Sequence, residues 1–418
     1  MDRHENQLAQ PLNQPKRLAV VGAGWAGLAA AVYACDGGAQ VTLYETAKAL
    51  GGRARSLDVS HHGLDNGQHI LIGAYTETLA LLQHVGVELQ SAFWRSPLKL
   101  EFSDGRGLRL PHGPAWQAFA RGVWACKHWS LSDRFALIRT CALWLLRGFD
   151  CDANLSVAQL CAKLPDVIKS ELIEPLSVAA LNTPSERASA KVLLRVLRDS
   201  LFSAPSGADL LLPRCGLSQL LPKPASQWLQ ARGTQIHTGQ RVNQLTRDGQ
   251  TFVIDGQRFD RVILACSALE AAHLSIDFNP QWAQTAAAMR YEPITTVYVT
   301  SPGSRLPFPM MAMRNDATNP AQFVFDLNAL GHQPDTYACV VSGAGDWVER
   351  GSEATVSATL AQIGRELHWS TPPQLLKVVT EKRATFACTP QLQRPEARIC
   401  HGLWAAGDYI AGPYPATL

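Results

Sequence analysis

The sequence predicts an α/β fold. A Rossmann-type dinucleotide-binding domain is joined to a discontinuous second domain of mixed sheet plus helices. Three observations lead there. A strand-like run, Leu18–Val21, meets a glycine-rich turn and then an alanine-rich helical run, Leu28–Ala34. Strand-rich and helix-rich stretches alternate over 418 residues, so one domain must be assembled from several segments. With 46% hydrophobic and only 17% charged residues, the chain is built to bury large surfaces.

Residues 1–16 are polar and proline-bearing and read as a flexible N-terminal tail. Leu18–Cys35 carries no charge and has the length of a membrane span or signal core. Gly22, Gly24 and Gly27 punctuate it, so it reads as strand, turn and helix instead. Residues 17–72 continue with a second strand and a glycine-rich loop. Residues 74–205 read as mostly helical. In Ala188–Leu201, Val192, Leu193, Val196 and Leu197 share one helical face. Short strands return at Gln235–His237, Arg241–Leu245, Thr251–Ile254 and Arg258–Ala265, with a hairpin turn at Arg247–Gln250. Further strands are expected at Thr295–Thr300 and Thr336–Ser342, a helix at Ser352–Leu367, and a closing strand at Leu403–Ala406. The dinucleotide-binding domain is expected to comprise residues 17–73, 206–268 and 380–418. Residues 74–205 and 269–379 form the substrate domain.

Lys and Arg number 38 against 35 Asp and Glu, a net charge of +3. That is too small for nucleic-acid binding driven by bulk charge. The ten cysteines are scattered without a CxxC pair, which argues against a zinc or thioredoxin-like site and fits a reducing cytoplasm. No metal site is expected, and no feature speaks to oligomeric state.

The first chemical motif is Gly22-Ala23-Gly24-Trp25-Ala26-Gly27, between strand and helix. Gly22 permits the tight turn. Gly24 lets the backbone approach a pyrophosphate, which sits on the positive end of the helix that Trp25 and Ala26 open. Gly27 lets helix and strand pack closely. Glu45 ends the next strand, 23 positions after Gly22, where a carboxylate can accept hydrogen bonds from a ribose. An ordinary βαβ turn would not need all four features. Gly51-Gly52-Arg53 follows shortly after Glu45. A nicotinamide domain has no need of a second glycine pair there. A flavin domain does, because a further loop must bring a cation, Arg53, to the diphosphate. At the far end, Trp404-Ala405-Ala406-Gly407-Asp408 places an acid after an apolar strand, where it can bind a ribityl chain. The cofactor expected from these motifs together is FAD.

These motifs resemble the FAD-binding amine oxidase and phytoene desaturase superfamily, whose FAD domain is of the glutathione-reductase type. Arg241-Val242 is similar to the point where that superfamily holds adenine through the backbone of a valine, here Val242. Asp65-Asn66-Gly67-Gln68-His69 resembles its loop past the isoalloxazine ring, which implies cofactor contacts from Gly67, Gln68 and His69. A narrower resemblance, to the bacterial hydroxysqualene dehydroxylase group, rests on Glu174-Pro175-Leu176, Ala179–Pro184, Ala188-Ser189, Val196–Ser200 and Tyr414–Leu418. It implies non-covalent FAD and a hydrophobic C30 isoprenoid alcohol as substrate. Its terminal run implies cofactor contacts from Ala416 and Thr417. In that group the run opens a helix facing the flavin, whereas this sequence stops at Leu418. The expected reaction is replacement of hydroxyl by hydrogen, with hydride from reduced flavin and an acid to release water. Asp65 and His69 are the catalytic candidates, against purely structural roles for both. Arg195 and Arg198 are expected to face solvent or make salt bridges rather than take part in catalysis. A carotenoid-type desaturase and an amine oxidase are the alternatives. A non-catalytic FAD- or isoprenoid-binding partner is the alternative of another class.

Residues 114–149 combine Trp116, Trp124, Trp129 and Trp144 with five basic residues and one acid. Basic and aromatic residues on amphipathic helices suit peripheral contact with an anionic membrane face. The alternative is an ordinary helical cap with its tryptophans in the core.

Overall fold

The computed structural model describes residues 16–57, 63–203 and 206–416. Its central layer is a six-stranded sheet in the order Arg398–Cys400, Leu403–Ala405, Arg261–Leu264, Arg17–Val21, Gln40–Glu45, Gln235–Thr238. All pairings are parallel except the outermost, where Arg398–Cys400 runs against Leu403–Ala405. Leu18 to Val21 are all buried, as a parallel strand covered on both faces requires. Helix Trp25–Asp36 covers one face. Leu28, Ala31 and Val32 meet Ala225 and Leu229 of helix Pro222–Gln230 in one apolar cluster. The apolar stretch Leu18–Cys35 is therefore strand, turn and helix, and among the described residues no helix is long and apolar enough to cross a membrane.

A five-stranded antiparallel sheet forms the second layer, in the order Met310–Ala312, Phe323–Asp326, Thr336–Val341, Tyr291–Thr300, Gln374–Phe386. Side chains alternate across it. Val297, Val299, Cys339 and Val341 pack with Ile363 of helix Ser352–Glu366. Ile294, Thr296, Phe323, Phe325 and Val340 face the other way, into a cavity.

The structure departs from the sequence reading in several places. Arg241–Leu245 is no strand; the hairpin instead pairs Thr246–Asp248 with Thr251–Ile254. The run Arg258–Ala265 splits at Asp260. Gln257–Phe259 joins the hairpin, and Arg261–Leu264 enters the central sheet. Asp260 makes the break by accepting from the Arg17 N–H at 2.8 Å. In Ala188–Leu201 the α-helix spans Ala190–Leu197 and gives way to a π-helical turn, Arg198–Phe202. The helical stretch 74–205 also holds short strands, among them the hairpin Lys99–Glu101 with Gly107–Arg109. Arg195 and Arg198 are both salt-bridged, to Asp199. The four tryptophans of residues 114–149 divide: Trp129 and Trp144 are core, Trp124 is exposed and Trp116 half-buried.

Candidate active site

The two glycine loops lie against each other at the top of the central sheet. Gly24 and Gly51 form a parallel bridge, and the Gly51 N–H donates to Ala23 O at 2.8 Å. Gly22 has φ +105°, and a Cβ there would come within 2.6 Å of Ala265 O. At Gly27 a Cβ would lie 1.9 Å from Gly22 O, so only glycine lets the helix start this close to the strand. A Cβ on Gly24 would meet nothing nearer than 3.9 Å. The cradle is open on that side. The helix that begins at Trp25 has no side-chain cap, so the first amides, including those of Trp25 and Ala26, are free to receive an anion. Trp25 itself is buried and its indole donates to Ala54 O at 2.9 Å, tying the first loop to the second.

Glu45 braces the same turn. One carboxylate oxygen accepts from the Ala23 N–H and the other from the Ala47 N–H, both at 2.8 Å. Each oxygen keeps a second acceptor site for a ribose hydroxyl. Val242 is buried in an extended segment beside it, where Gly239 N–H donates to Ala47 O and Gln240 N–H to Glu45 O.

Arg53 leaves the Gly51-Gly52 turn and ends on Asp408. Its guanidinium donates to the Asp408 carboxylate at 2.7 Å and to Ala384 O at 2.7 Å. Asp408 sits just beyond Gly407 and the strand Leu403–Ala405, so the second and third motifs form one network. Asn66 joins them by donating to Arg53 O at 3.2 Å.

Residues 65–69 divide by side-chain direction. Asp65 accepts from Ser56 Oγ at 2.7 Å and Leu217 N–H at 3.0 Å and is absent from the cavity wall. Burial raises its carboxyl above the usual range, against those two hydrogen bonds. The Tyr298 hydroxyl donates to Asp65 O at 2.9 Å and so fixes the loop to the second sheet. His69 does line the cavity, as do Gly67 and Gln68. Burial lowers its imidazole to about 4. With Nδ1 donating to Gly67 O at 3.2 Å, Nε2 is left as an acceptor.

The cavity runs between the two layers. Arg53, Asn66, Gly67, Gln68, His69, Asp408 and Ala416 form one part of its wall. Val178, Ile294, Phe323, Phe325, Val340 and Val379 form an apolar part. Thr417 lies outside the described residues. Glu381, from the long strand Gln374–Phe386, also reaches this wall, and no motif in the sequence marks it. Only the alternation of that strand could have placed it on the cavity side. Its carboxylate accepts from the Arg383 N–H at 3.1 Å and lies 3.5 Å from Asn66 Nδ2, and no ion pair is made by it among the described residues.

A glycine cradle closed to Cβ atoms at Gly22 and Gly27 and open at Gly24, free helix-terminal amides and a braced carboxylate fit a dinucleotide. The fold and site define an FAD-dependent oxidoreductase. The profile of the flavin-containing amine oxidoreductases matches residues 25–368, and the chain belongs to that family. A hydroxysqualene dehydroxylase from Zymomonas mobilis is 26% identical over 427 residues, covering 96% of this chain and 94% of that protein. A zeta-carotene desaturase from Synechocystis is 25% identical over 277 residues, 58% of this chain and 52% of its own. Among solved structures, an oxidoreductase from Methanosarcina mazei superposes with a TM-score of 0.72 at 15% identity, over 96% of both chains.

Proposed function

We propose that this chain converts hydroxysqualene to squalene by reductive dehydroxylation, as an FAD-dependent enzyme of squalene and hopanoid synthesis. The observation that carries this reading is the single cavity with motif residues on one part of its wall and an apolar sheet face on another. That arrangement suits a long hydrocarbon with one polar carbon. The hydroxysqualene dehydroxylase relatives match nearly the whole chain at 26% identity, whereas the Synechocystis zeta-carotene desaturase matches little more than half and a phytoene desaturase from Glycine max spans 97% of it at only 21% identity. When bound, reduced FAD supplies the hydride.

The cofactor would lie on Gly22, Gly24, Gly27, Gly51 and Gly52, with Glu45 and Val242 toward the adenosine and Asp408 toward the ribityl chain. The protein's own part is to bind the alcohol, exclude water and deliver a proton. The carbon–oxygen bond breaks, the oxygen takes the proton and leaves as water, and the carbon receives hydride. His69, held neutral, accepts the hydrogen bond of the substrate hydroxyl through Nε2 and orients it. The proton comes from Glu381, a wall carboxylate that makes no ion pair among the described residues. Asp65 braces the loop. Ile294, Phe323 and Phe325 keep water from the reacting carbon.

The apolar substrate is taken from a membrane surface at the cytoplasmic face. Trp124, Leu131, Phe135 and Leu146 are exposed on the helices Ala115–Ala125 and Leu131–Leu146, with Leu146 at 83%. Lys127, Arg139 and Arg147 share this segment, which suits an anionic bilayer.

The test is anaerobic. The FAD-loaded chain is reduced, given hydroxysqualene, and followed for flavin reoxidation and for squalene by mass spectrometry. Matching yields of both are expected. A flavin that stays reduced without squalene, but is reduced from its oxidised form by a polyene, would overturn the reading in favour of a desaturase.

A further inference from the structure

A second cavity, of about 760 Å³, shares no lining residue with the first. The hairpin Lys99–Glu101 and Gly107–Arg109 forms one wall. Arg121 and Ala125 of the following helix, His112, His128 and Phe308 complete it. In the hairpin register Lys99 stands directly opposite Arg109. Like charges directly opposite each other destabilise a strand pair. Both cations also face one ring: Lys99 Nζ lies over Phe308, and the Arg109 guanidinium carbon is 5.3 Å from its centroid. Lys99 is only 7% exposed, with Glu101 at 3.0 Å as its carboxylate neighbour. Arg109 and Arg121 make no ion pair among the described residues. Buried Lys99 and the exposed Arg109 and Arg121 therefore line a cavity holding one carboxylate. Such a breach of the local pairing rule is characteristic of a functional site.

We infer that this cavity binds a phosphate-class anion. An oxyanion between Lys99, Arg109 and Arg121 would relieve the opposed charges and take the paired N–H groups of the guanidinium forks. Its volume, within the usual range for ligand pockets of about 300–1,000 Å³, accepts a diphosphate or a phosphorylated headgroup. Its wall includes Ala125, next to exposed Trp124, so a headgroup bound here would leave its acyl chains beside the apolar patch.

The FAD-loaded full chain serves for the test. Calorimetry with inorganic phosphate and pyrophosphate reads free anions. Flotation with phosphatidylglycerol–phosphatidylcholine vesicles, against phosphatidylcholine alone, reads a lipid headgroup. The double variant Arg109→Gln/Arg121→Gln is compared with Arg232→Gln/Arg350→Gln, which removes the same charge from exposed positions outside the cavity and outside residues 114–149. The cavity variant is expected to lose about tenfold or more in affinity for whichever source binds, as removal of charge-assisted hydrogen bonds predicts. The matched variant is expected to lose less than about twofold. Binding of pyrophosphate by calorimetry identifies a soluble phosphate; binding confined to anionic vesicles identifies a headgroup. No binding of either probe, or equal losses in the two variants, would overturn the inference. Hydroxysqualene turnover is measured separately, so neither result bears on that reading.

Discussion

Arg53 and Asp408, 355 positions apart, meet at 2.7 Å and join the second glycine loop to the terminal acidic motif. The same guanidinium holds the Ala384 carbonyl of the long strand Gln374–Phe386. Arg53 thus anchors three segments around the cavity, beyond the diphosphate contact that its place in the sequence suggests. Arg53→Ala leaves the largely buried Asp408 without its cation, at a cost of about 2 kcal/mol. A lower Tm and loss of flavin during gel filtration are expected. Unchanged flavin retention would show that the link is dispensable.

Gly24 and Gly27 separate cofactor binding from folding. Gly27→Ala drives a Cβ into Gly22 O and should destabilise the protein by about 2 kcal/mol or more. Gly24→Ala has room for its Cβ within the protein, but the methyl enters the open cradle. The Gly24 variant is expected to melt like wild type without flavin and to bind FAD at least tenfold more weakly, by about 1.4 kcal/mol or more. Flavin fluorescence titration beside thermal melts checks both.

His69 makes stability depend on mildly acid pH. Its folded value of about 4 lies below the unfolded value of about 6.5. The unfolded chain therefore takes up the proton first, and stability is lost as pH falls through 6.5 toward 4. Between pH 7.5 and 4.5 the wild type should lose about 2 kcal/mol more than His69→Gln. Urea unfolding at the two pH values measures it, and parallel losses would contradict a neutral His69 on the cavity wall.

Glu381→Gln tests the proposed acid. The isosteric amide keeps the hydrogen bond from Arg383 N–H but cannot donate the carboxyl proton. Single-turnover flavin reoxidation by hydroxysqualene should slow by about 10²-fold, with FAD affinity unchanged. An unchanged reoxidation rate would return the proton to another group.

Trp124→Ser/Phe135→Ser probes the exposed face. The two rings pack on each other at 5.9 Å in an edge-on arrangement outside the core. Their loss should change stability by only about 0.5 kcal/mol per site. Flotation with anionic vesicles should fall several-fold. Retained flotation would move the membrane contact elsewhere.

The cradle was legible because its geometry admits few residue types. A Cβ at Gly22 or Gly27 collides with backbone, so the requirement is written into the chain. The acid Glu45 follows from one βαβ unit, a local relationship. Other features depend on contacts made over long separations. Arg258–Ala265 alternates like one strand, and only the bond of Asp260 to Arg17 reveals the break. Asp65 and His69 look alike as candidates in the loop, yet Ser56 and Leu217 draw Asp65 away from the cavity. Glu381 carries no motif, since its place comes from the register of Gln374–Phe386 on Tyr291–Thr300. Trp129 and Trp144 could not be told from Trp124 by composition, because burial is decided by neighbours such as Glu171, which accepts the Trp129 indole N–H at 2.8 Å.

The order of the central sheet has a consequence for how the protein is made. Arg17–Val21 leaves the ribosome early, but one neighbour, Arg261–Leu264, is synthesised more than two hundred residues later. Leu403–Ala405 and Asp408 come later still. The nascent glycine turn is therefore present through most of translation without the residues that complete its pocket, and its apolar strand lacks a partner on that edge. Cofactor loading becomes a late event in biogenesis, following emergence of the final strands. Until then the unpaired edge of that strand is open to pairing with another chain.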